Sequence, residues 1–345
     1  MQWTRELMRW YSLHKRNFPW REDKNPYKIW LSEIIMQQTR VAQGLPYYQA
    51  FVDRYPRVED LAAAPEDEVL KLWQGLGYYS RARNLHATAQ HIVQEYNGVF
   101  PDTFKGLLSL KGVGDYTASA IGSISYNLPE AVVDGNVYRF LSRYFGMDTP
   151  IDSSGAHKIF KAKATELMDK KQPGDFNQAL MEFGALQCTP KATDCQACPF
   201  SSQCVAHQQA KVEQFPVKLK KGKVKDRYFN FLVCTTPNDA LLLEKREEKG
   251  IWQNLWQFPL VEGTSLLDSN QLKKEAAFQN IVGETSYTLT LVNKQPVKHL
   301  LSHQRLWIRF WQLEGAYFQG NSIPKKDIHA YAVPVPLAQY IKGHF

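Results

Sequence analysis

The chain has 345 residues, enough for two domains that each bury a core, with 44% hydrophobic and 22% charged residues. That balance excludes a disordered polyelectrolyte, and no stretch approaches the roughly 18 apolar residues of a membrane span. The formal net charge of +8 suits a polyanionic partner, but it is unevenly spread: residues 1–211 carry 24 Lys and Arg against 22 Asp and Glu, and residues 212–345 carry 18 against 12. Met1 to Trp10 alternates charged and apolar residues in place of the apolar run of a secretory leader, which predicts a cytoplasmic protein.

Residues 1–211 read as helical, with short apolar-periodic segments separated at Asn25-Pro26, Tyr55-Pro56, Gly98, Pro101, Gly112, Gly114, Gly135 and Pro173-Gly174. One helix opens near Pro26 and continues through Ile34 and Ile35 towards Arg40. The segment 116–125 is rich in small residues and suited to close packing. Residues 212–226 read as a basic linker; Lys218, Lys220, Lys221, Lys223 and Lys225 make it either a solvated tether or a strip that lies on DNA phosphates. Beyond it the pattern changes to strands at Tyr228 to Thr236 and Leu306 to Leu313, with a charged helical segment around 271–278. The expectation is a separate α+β domain over 227–345.

Three features of the first part carry chemistry. Glu33 has Ile29, Trp30 and Met36 as its helical neighbours, so its carboxyl emerges among apolar side chains. Such a carboxyl tends to hold its proton near neutral pH and serve as an acid; the alternative is a structural Glu bonded to Gln37 or a backbone group. Leu110 to Ala118 has the form of a helix–hairpin–helix (about 105–125), in which Gly112 and Gly114 permit a tight turn with outward N–H groups able to hold a phosphate. Taken alone, that pattern also fits a plain connection between helices. Asp134, after Val132-Val133 and before a helix, reads first as an N-cap, a place where a carboxylate stays ionised.

Four of the five cysteines fall within 17 residues, Cys188, Cys195, Cys198 and Cys204, spaced C-x6-C-x2-C-x5-C. In a cytosolic chain this is a metal site; four thiolates suit tetrahedral zinc or a [4Fe–4S] cluster equally in charge and number. The spacing resembles the cluster loop (188–204) of the endonuclease III superfamily of DNA glycosylases. The order of hairpin, Asp and four Cys is also that of the superfamily. Cys234 stands apart in an apolar strand and reads as a core residue.

The resemblance narrows with Pro19-Trp20-Arg21, Ser32 to Val41, Gly75-Leu76-Gly77-Tyr78-Tyr79, Val133 to Val137 and Arg139, which look like the A/G-specific adenine glycosylase (MutY) family. It implies an all-α helix–hairpin–helix glycosylase domain over 1–211 with a [4Fe–4S] loop, followed by a C-terminal α+β Nudix-like domain. It also implies a monofunctional, monomeric base-excision enzyme acting on double-stranded DNA with adenine opposite 8-oxoguanine or guanine. By the same resemblance Glu33 protonates the adenine, Asp134 stabilises the sugar cation, and Tyr116 and Asn136 position Asp134 and the sugar. Arg21 holds the extruded base, Gln38 and Tyr78 are candidate wedges, and Thr39 and Leu76 lie near them on the DNA; without the family Tyr78 is equally an aromatic core residue. Bifunctional relatives carry a lysine where this chain has Tyr116, and Lys111 does not align with that nucleophile.

The C-terminal part resembles a Nudix-like domain through Leu255 to Pro259 and Leu301-Ser302-His303, but lacks the R-E-x-x-E-E metal box; Lys273-Lys274-Glu275 is no substitute. The resemblance therefore implies that it binds, with Ser302 and His303 recognising 8-oxoguanine. By itself, Leu-Ser-His is an ordinary polar turn. Two rival readings remain at this stage: a glycosylase/lyase for oxidised pyrimidines, and a non-catalytic iron–sulfur DNA-binding protein.

Overall fold

On the helix Gln2–His14, Leu7, Trp10 and Tyr11 recur at three-to-four spacing and are buried together. They share one apolar cluster with Phe140 and Leu141 of the helix Gly135–Phe145 and with Phe176, Leu180 and Phe183 of the helix Pro173–Leu186. Cys188 and Phe200 belong to the same cluster, so the start of the cysteine loop is anchored in the helical core.

The computed structural model describes residues 2–219 and 224–345; Lys220, Lys221 and Lys223 of the basic linker lie outside the described residues. Two units emerge, one from 2–63 with 84–219 and the other from 64–83 with 224–345. The first is helical. The segment 64–83, which a linear reading assigns to the helical part, is tied instead to C-terminal residues. Lys71 Nζ donates to Tyr331 O at 3.0 Å, Val333 N to Gln74 Oε1 at 3.2 Å, and Asn254 Nδ2 to Glu66 Oε1 at 2.6 Å.

The second unit is built on a mixed sheet. The strand Lys225–Thr235 runs parallel to Gln304–Gly315, with Phe231 opposite Phe310, and pairs antiparallel with Leu260–Gly263 on its other side. Residues Phe229 to Cys234 form an unbroken buried run, and Cys234 is a core residue. The charged segment around 271–278 resolves into two short helices, Ser269–Leu272 and Ala276–Val282.

Two local features of the first unit differ from, or sharpen, the linear reading. The helix opening at Pro26 stops at Met36 and does not reach Arg40, because Gln38 adopts a left-handed backbone (φ 55°) and a new helix starts at Val41. The small residues of the helix Asp115–Ser125 are buried from Thr117 to Ser123, and a Cβ on Gly174 would meet Ser123 O at 2.9 Å. Helix Pro173–Leu186 thus begins against that helix backbone.

Candidate active site

Glu33 sits near the end of the helix Pro26–Met36, which opens with proline at its first turn and with Asn25 Oδ1 accepting from the amides of Tyr27 and Lys28 at 2.9 and 3.3 Å. Ile29, Trp30 and Ile34 around it are buried. The Tyr116 hydroxyl donates to the Met181 sulfur at 3.3 Å, and Tyr116 is also close enough to the Glu33 carboxyl to act on its ionisation. Glu33 keeps part of its surface open, but the packed atoms about its carboxyl remove most of its hydration. That desolvation, eased by the nearby Tyr116 hydroxyl and reinforced by the Asp134 charge, pushes its pKa up to about 7. Burial and then the neighbouring Glu33 and Asp134 charges raise Tyr116 well above the ordinary phenol value, so it stays a proton donor.

Asp134 is the N-cap of the helix Gly135–Phe145: Oδ1 accepts from the amides of Asn136 and Val137 at 2.9 and 2.8 Å, and Oδ2 from Asn136 Nδ2 at 2.7 Å. A helix terminus by itself holds a carboxylate ionised. Here burial outweighs it, and Asp134 is raised above its ordinary value despite those hydrogen bonds and the Arg139 charge. The side chain is consequently a poorly hydrated acid aimed by fixed donors. Asn136 is itself fixed, its Oδ1 accepting from Arg139 Nη2 at 2.9 Å, and Arg139 also donates to Gly184 O and Cys188 O at 2.6 and 2.7 Å.

Arg21 completes the group. Its Nη2 donates to Glu182 Oε2 at 3.0 Å, its Nη1 to Arg16 O at 2.8 Å, and its charge lowers the pKa of Glu33. Glu182 and Arg16 are residues that the linear reading misses. Glu182 is 2% exposed and takes the Arg16 Nε at 2.7 Å; burial works against its ionisation, but the two arginines hold it below the usual carboxylate range. Its signal was available, since its helical neighbours Ala179, Ala185 and Leu186 are apolar, as are those of Glu33.

Gln38 and Thr39 follow directly on the Glu33 helix; Gln38 is exposed, and Thr39 Oγ1 donates to Gln37 O at 3.3 Å. Gln37 Nε2 reaches Thr117 Oγ1 at 3.3 Å. Gly112 takes a left-handed backbone (φ 77°) where a Cβ would lie 2.9 Å from the Asn84 Cβ, and Gly114 caps the helix that carries Tyr116. In the second unit Leu76 is buried and Tyr78, at φ 49°, is 47% exposed. The Tyr78 and Ser302 hydroxyls are hydrogen-bonded at 2.5 Å, while His303 is exposed with its carbonyl accepting from Lys225 N at 3.1 Å.

The four loop cysteines are free of disulfides and line one small cavity with Phe140, Arg143 and Phe200. Arg143, 3% exposed, places Nη1 3.4 Å from Cys188 Sγ, 2.7 Å from Thr189 O and 3.0 Å from Thr193 Oγ1. A buried guanidinium among thiols suits a set of anionic sulfurs. Among the described residues no three His, Cys, Asp or Glu side chains gather closely enough to hold one metal ion. Tetrahedral zinc needs sulfurs drawn to about 2.3 Å from one centre, whereas a four-iron cluster spreads its thiolates over separate corners. In number and chemistry, the four thiols about one cavity suit either group.

Comparisons with known proteins show the family of the two parts. A family model described as "HhH-GPD superfamily base excision DNA repair protein" matches residues 31–165, and a NUDIX domain model matches residues 230–343. The chain is 36% identical over 306 residues to an adenine DNA glycosylase of Buchnera aphidicola subsp. Baizongia pistaciae (strain Bp), covering 88% of this chain and 83% of that one. It is 38% identical over 258 residues to that of Buchnera aphidicola subsp. Schizaphis graminum (strain Sg), covering 73% of each. A solved structure of a thermostable thymine-DNA glycosylase superposes with a TM-score of 0.56 at 30% identity, over 60% of this chain and 95% of that one. Fold and site together define a helix–hairpin–helix DNA glycosylase, a hydrolase of base excision repair, with a C-terminal Nudix-like domain. Within that class the chain belongs to the adenine DNA glycosylase family. Among the described residues no helix is long and apolar enough to cross a membrane.

Proposed function

We propose that the chain removes adenine mispaired with 8-oxoguanine or guanine in double-stranded DNA, as a monofunctional and monomeric enzyme of the cytoplasm. What supports this is the gathering of Glu33, Tyr116, Asp134 and Arg21 in one poorly hydrated place, with Glu33 raised to about 7 and so able to carry a proton at neutral pH. Adenine leaves poorly as an anion. Glu33 protonates a ring nitrogen of the extruded base, and Tyr116 aims the acid without competing as a nucleophilic amine. As the glycosidic bond breaks, the sugar acquires positive charge, which the Asp134 carboxylate, fixed by Asn136, stabilises before water adds. A poorly hydrated carboxylate interacts more strongly with that cation than a solvated one would. Arg21, with Glu182 and Arg16, forms the polar wall for the base edge.

Reaching the base requires extrusion from the stack. Gln38 of the first unit and Tyr78 of the second are the candidate wedges, Thr39 and Leu76 are further candidate DNA contacts, and the amides about Gly112 and Gly114 would hold a phosphate. Ser302 and His303 read the opposite base. Cys188, Cys195, Cys198 and Cys204 would hold a [4Fe–4S] cluster, whose contribution when bound is to tie the 188–204 loop into a fixed shape. Residues 1–211 would supply the chemistry and residues 227–345 the reading of the opposite base, joined through 212–226.

The test is incubation of the purified protein with duplexes carrying adenine opposite 8-oxoguanine, adenine opposite guanine, or thymine glycol, each with and without hot alkali. Strand scission of the adenine duplexes only after alkali is the expected result. Scission without alkali, or cleavage at thymine glycol, would mean a lyase for oxidised pyrimidines, and no reaction would leave a DNA-binding protein.

A further inference from the structure

Asp115 is the first residue of the helix Asp115–Ser125 and follows directly on Gly114. A carboxylate at that place lies beside the N–H groups of the hairpin and of the first helical turn, which are the groups a DNA phosphate uses. It favours the helix dipole but opposes an incoming phosphate.

The structure shows where this charge goes. Lys161 Nζ, from the helix Ala156–Leu167, lies 2.8 Å from both Asp115 oxygens, and His157 Nε2 lies 3.3 Å from Oδ1. Lys161 is no loose surface cation. Its side chain is 18% exposed, sits 4.4 Å over the Phe104 ring, and reaches Ser119 Oγ at 3.2 Å and Glu130 Oε2 at 3.3 Å. Its donors are therefore directed inward onto the two acids.

We propose that Lys161 is a positioning residue for DNA binding, which draws the Asp115 carboxylate aside and neutralises it so that the hairpin amides meet the phosphate unopposed. The proposal rests on the hairpin being the phosphate-binding element. Without Lys161, Asp115 regains its full charge beside those amides, and a phosphate bound there meets direct repulsion.

The experiment is fluorescence anisotropy with an undamaged duplex and the full chain, across a salt titration. Lys161→Met should weaken binding about tenfold at low salt, the size of one uncompensated charge close to one phosphate. Adding Asp115→Asn to that variant should return the affinity to within about threefold of wild type, although Glu130 stays uncovered. Lys163→Met removes the same charge from another face of the same helix, where Lys163 pairs with Glu166 at 2.8 Å, and should change affinity by less than about twofold. If the double variant binds as weakly as Lys161→Met, then Lys161 touches DNA itself or merely supports the fold, and the proposal is overturned. If Lys161→Met does not fold, the proposal stands on Asp115→Asn, in which removal of Lys161 should no longer weaken binding; a loss there overturns it. Gly114→Asp tests the hairpin separately, because that position has a negative φ and no atom within 4 Å of an added Cβ. Unchanged affinity in Gly114→Asp would remove the hairpin reading, and the proposal with it; weakened binding there, with Lys161→Met neutral, would remove the proposal alone.

Discussion

The hydroxyls of Tyr78 and Ser302 lie 2.5 Å apart, joining residues separated by 224 positions in the chain. Tyr78 stands in a turn where Gly75, Gly77 and Tyr78 all have positive φ, and the Gly77 carbonyl accepts from Trp73 Nε1 at 3.0 Å and Arg81 Nη2 at 3.2 Å. A turn held this way presents a half-exposed ring at a fixed place, directly beside the loop proposed to read the opposite base.

Guanine and 8-oxoguanine differ at N7, which becomes a donor, and at C8, which gains a carbonyl. A Ser hydroxyl can accept from that N–H, and one such polar discrimination is worth roughly 1–3 kcal/mol. Ser302→Ala with His303→Ala should therefore slow excision opposite 8-oxoguanine about ten- to a hundredfold more than excision opposite guanine. Single-turnover rates on the two duplexes check this, and an unchanged ratio would move the discrimination to residues near Gln38, Thr39 and Leu76. Truncation at residue 227 is a poorer test, because it strips the 64–83 segment of its partners.

The acid assignment has a pH signature. With Glu33 near 7, single-turnover excision should be level below that pH and fall about tenfold per unit above it. Stability carries the opposite mark of the same group. Below the ordinary glutamate value of 4.5 both folded and unfolded chains hold the proton; between 4.5 and about 7 only the unfolded chain releases it, so stability declines, and above 7 the full cost remains. Glu33→Gln should accordingly bind the A:8-oxoguanine duplex, release almost no adenine, and gain roughly 2–3 kcal/mol at pH 8 but little near pH 4.5. Denaturant melts at the two pH values read this directly; equal gains at both would separate Glu33 from the buried acid described here.

Asp134 can be disturbed without touching it. A Cβ on Gly184 would lie 2.6 Å from Asn136 O and 2.7 Å from Asn136 Cβ, so Gly184→Ala must shift the residue that supplies two of the donors to Asp134. Excision should fall at least about tenfold, with duplex affinity changed by less than about threefold, because the displaced donors act on the developing cation. Asp134→Asn, which removes the charge, should lose more. A Gly184→Ala enzyme of wild-type rate would show that the fine placement of Asp134 is unimportant.

For the cysteine loop, protein purified without oxygen should be yellow-brown and contain roughly four irons per chain. Cys198→Ser should lose the colour and much of the DNA affinity as the loop loosens. Stoichiometric zinc in colourless protein would refute the cluster and restore the mononuclear reading of the four thiols.

Much of this was legible along the chain because it depends on short-range chemistry. The spacing of Cys188, Cys195, Cys198 and Cys204, the turn at Gly112 and Gly114, the cap at Asp134 and the apolar setting of Glu33 all lie within a few helical turns, where backbone geometry dictates which groups meet. The change from helical to strand-forming composition after the basic linker likewise marked a separate α+β part before any strand was placed. What only the tertiary structure decided is how distant groups alter one another. That Asp134 is raised rather than simply ionised follows from the burial of its surroundings, to which local sequence is blind. The Arg16–Glu182–Arg21 network, the docking of 64–83 onto C-terminal residues, and the Lys161 hold on Asp115 join positions from 46 to more than 250 residues apart. Such pairings arise from the packing of whole helices and sheets, whose relative placement is set by the sum of many small burials and by no single motif.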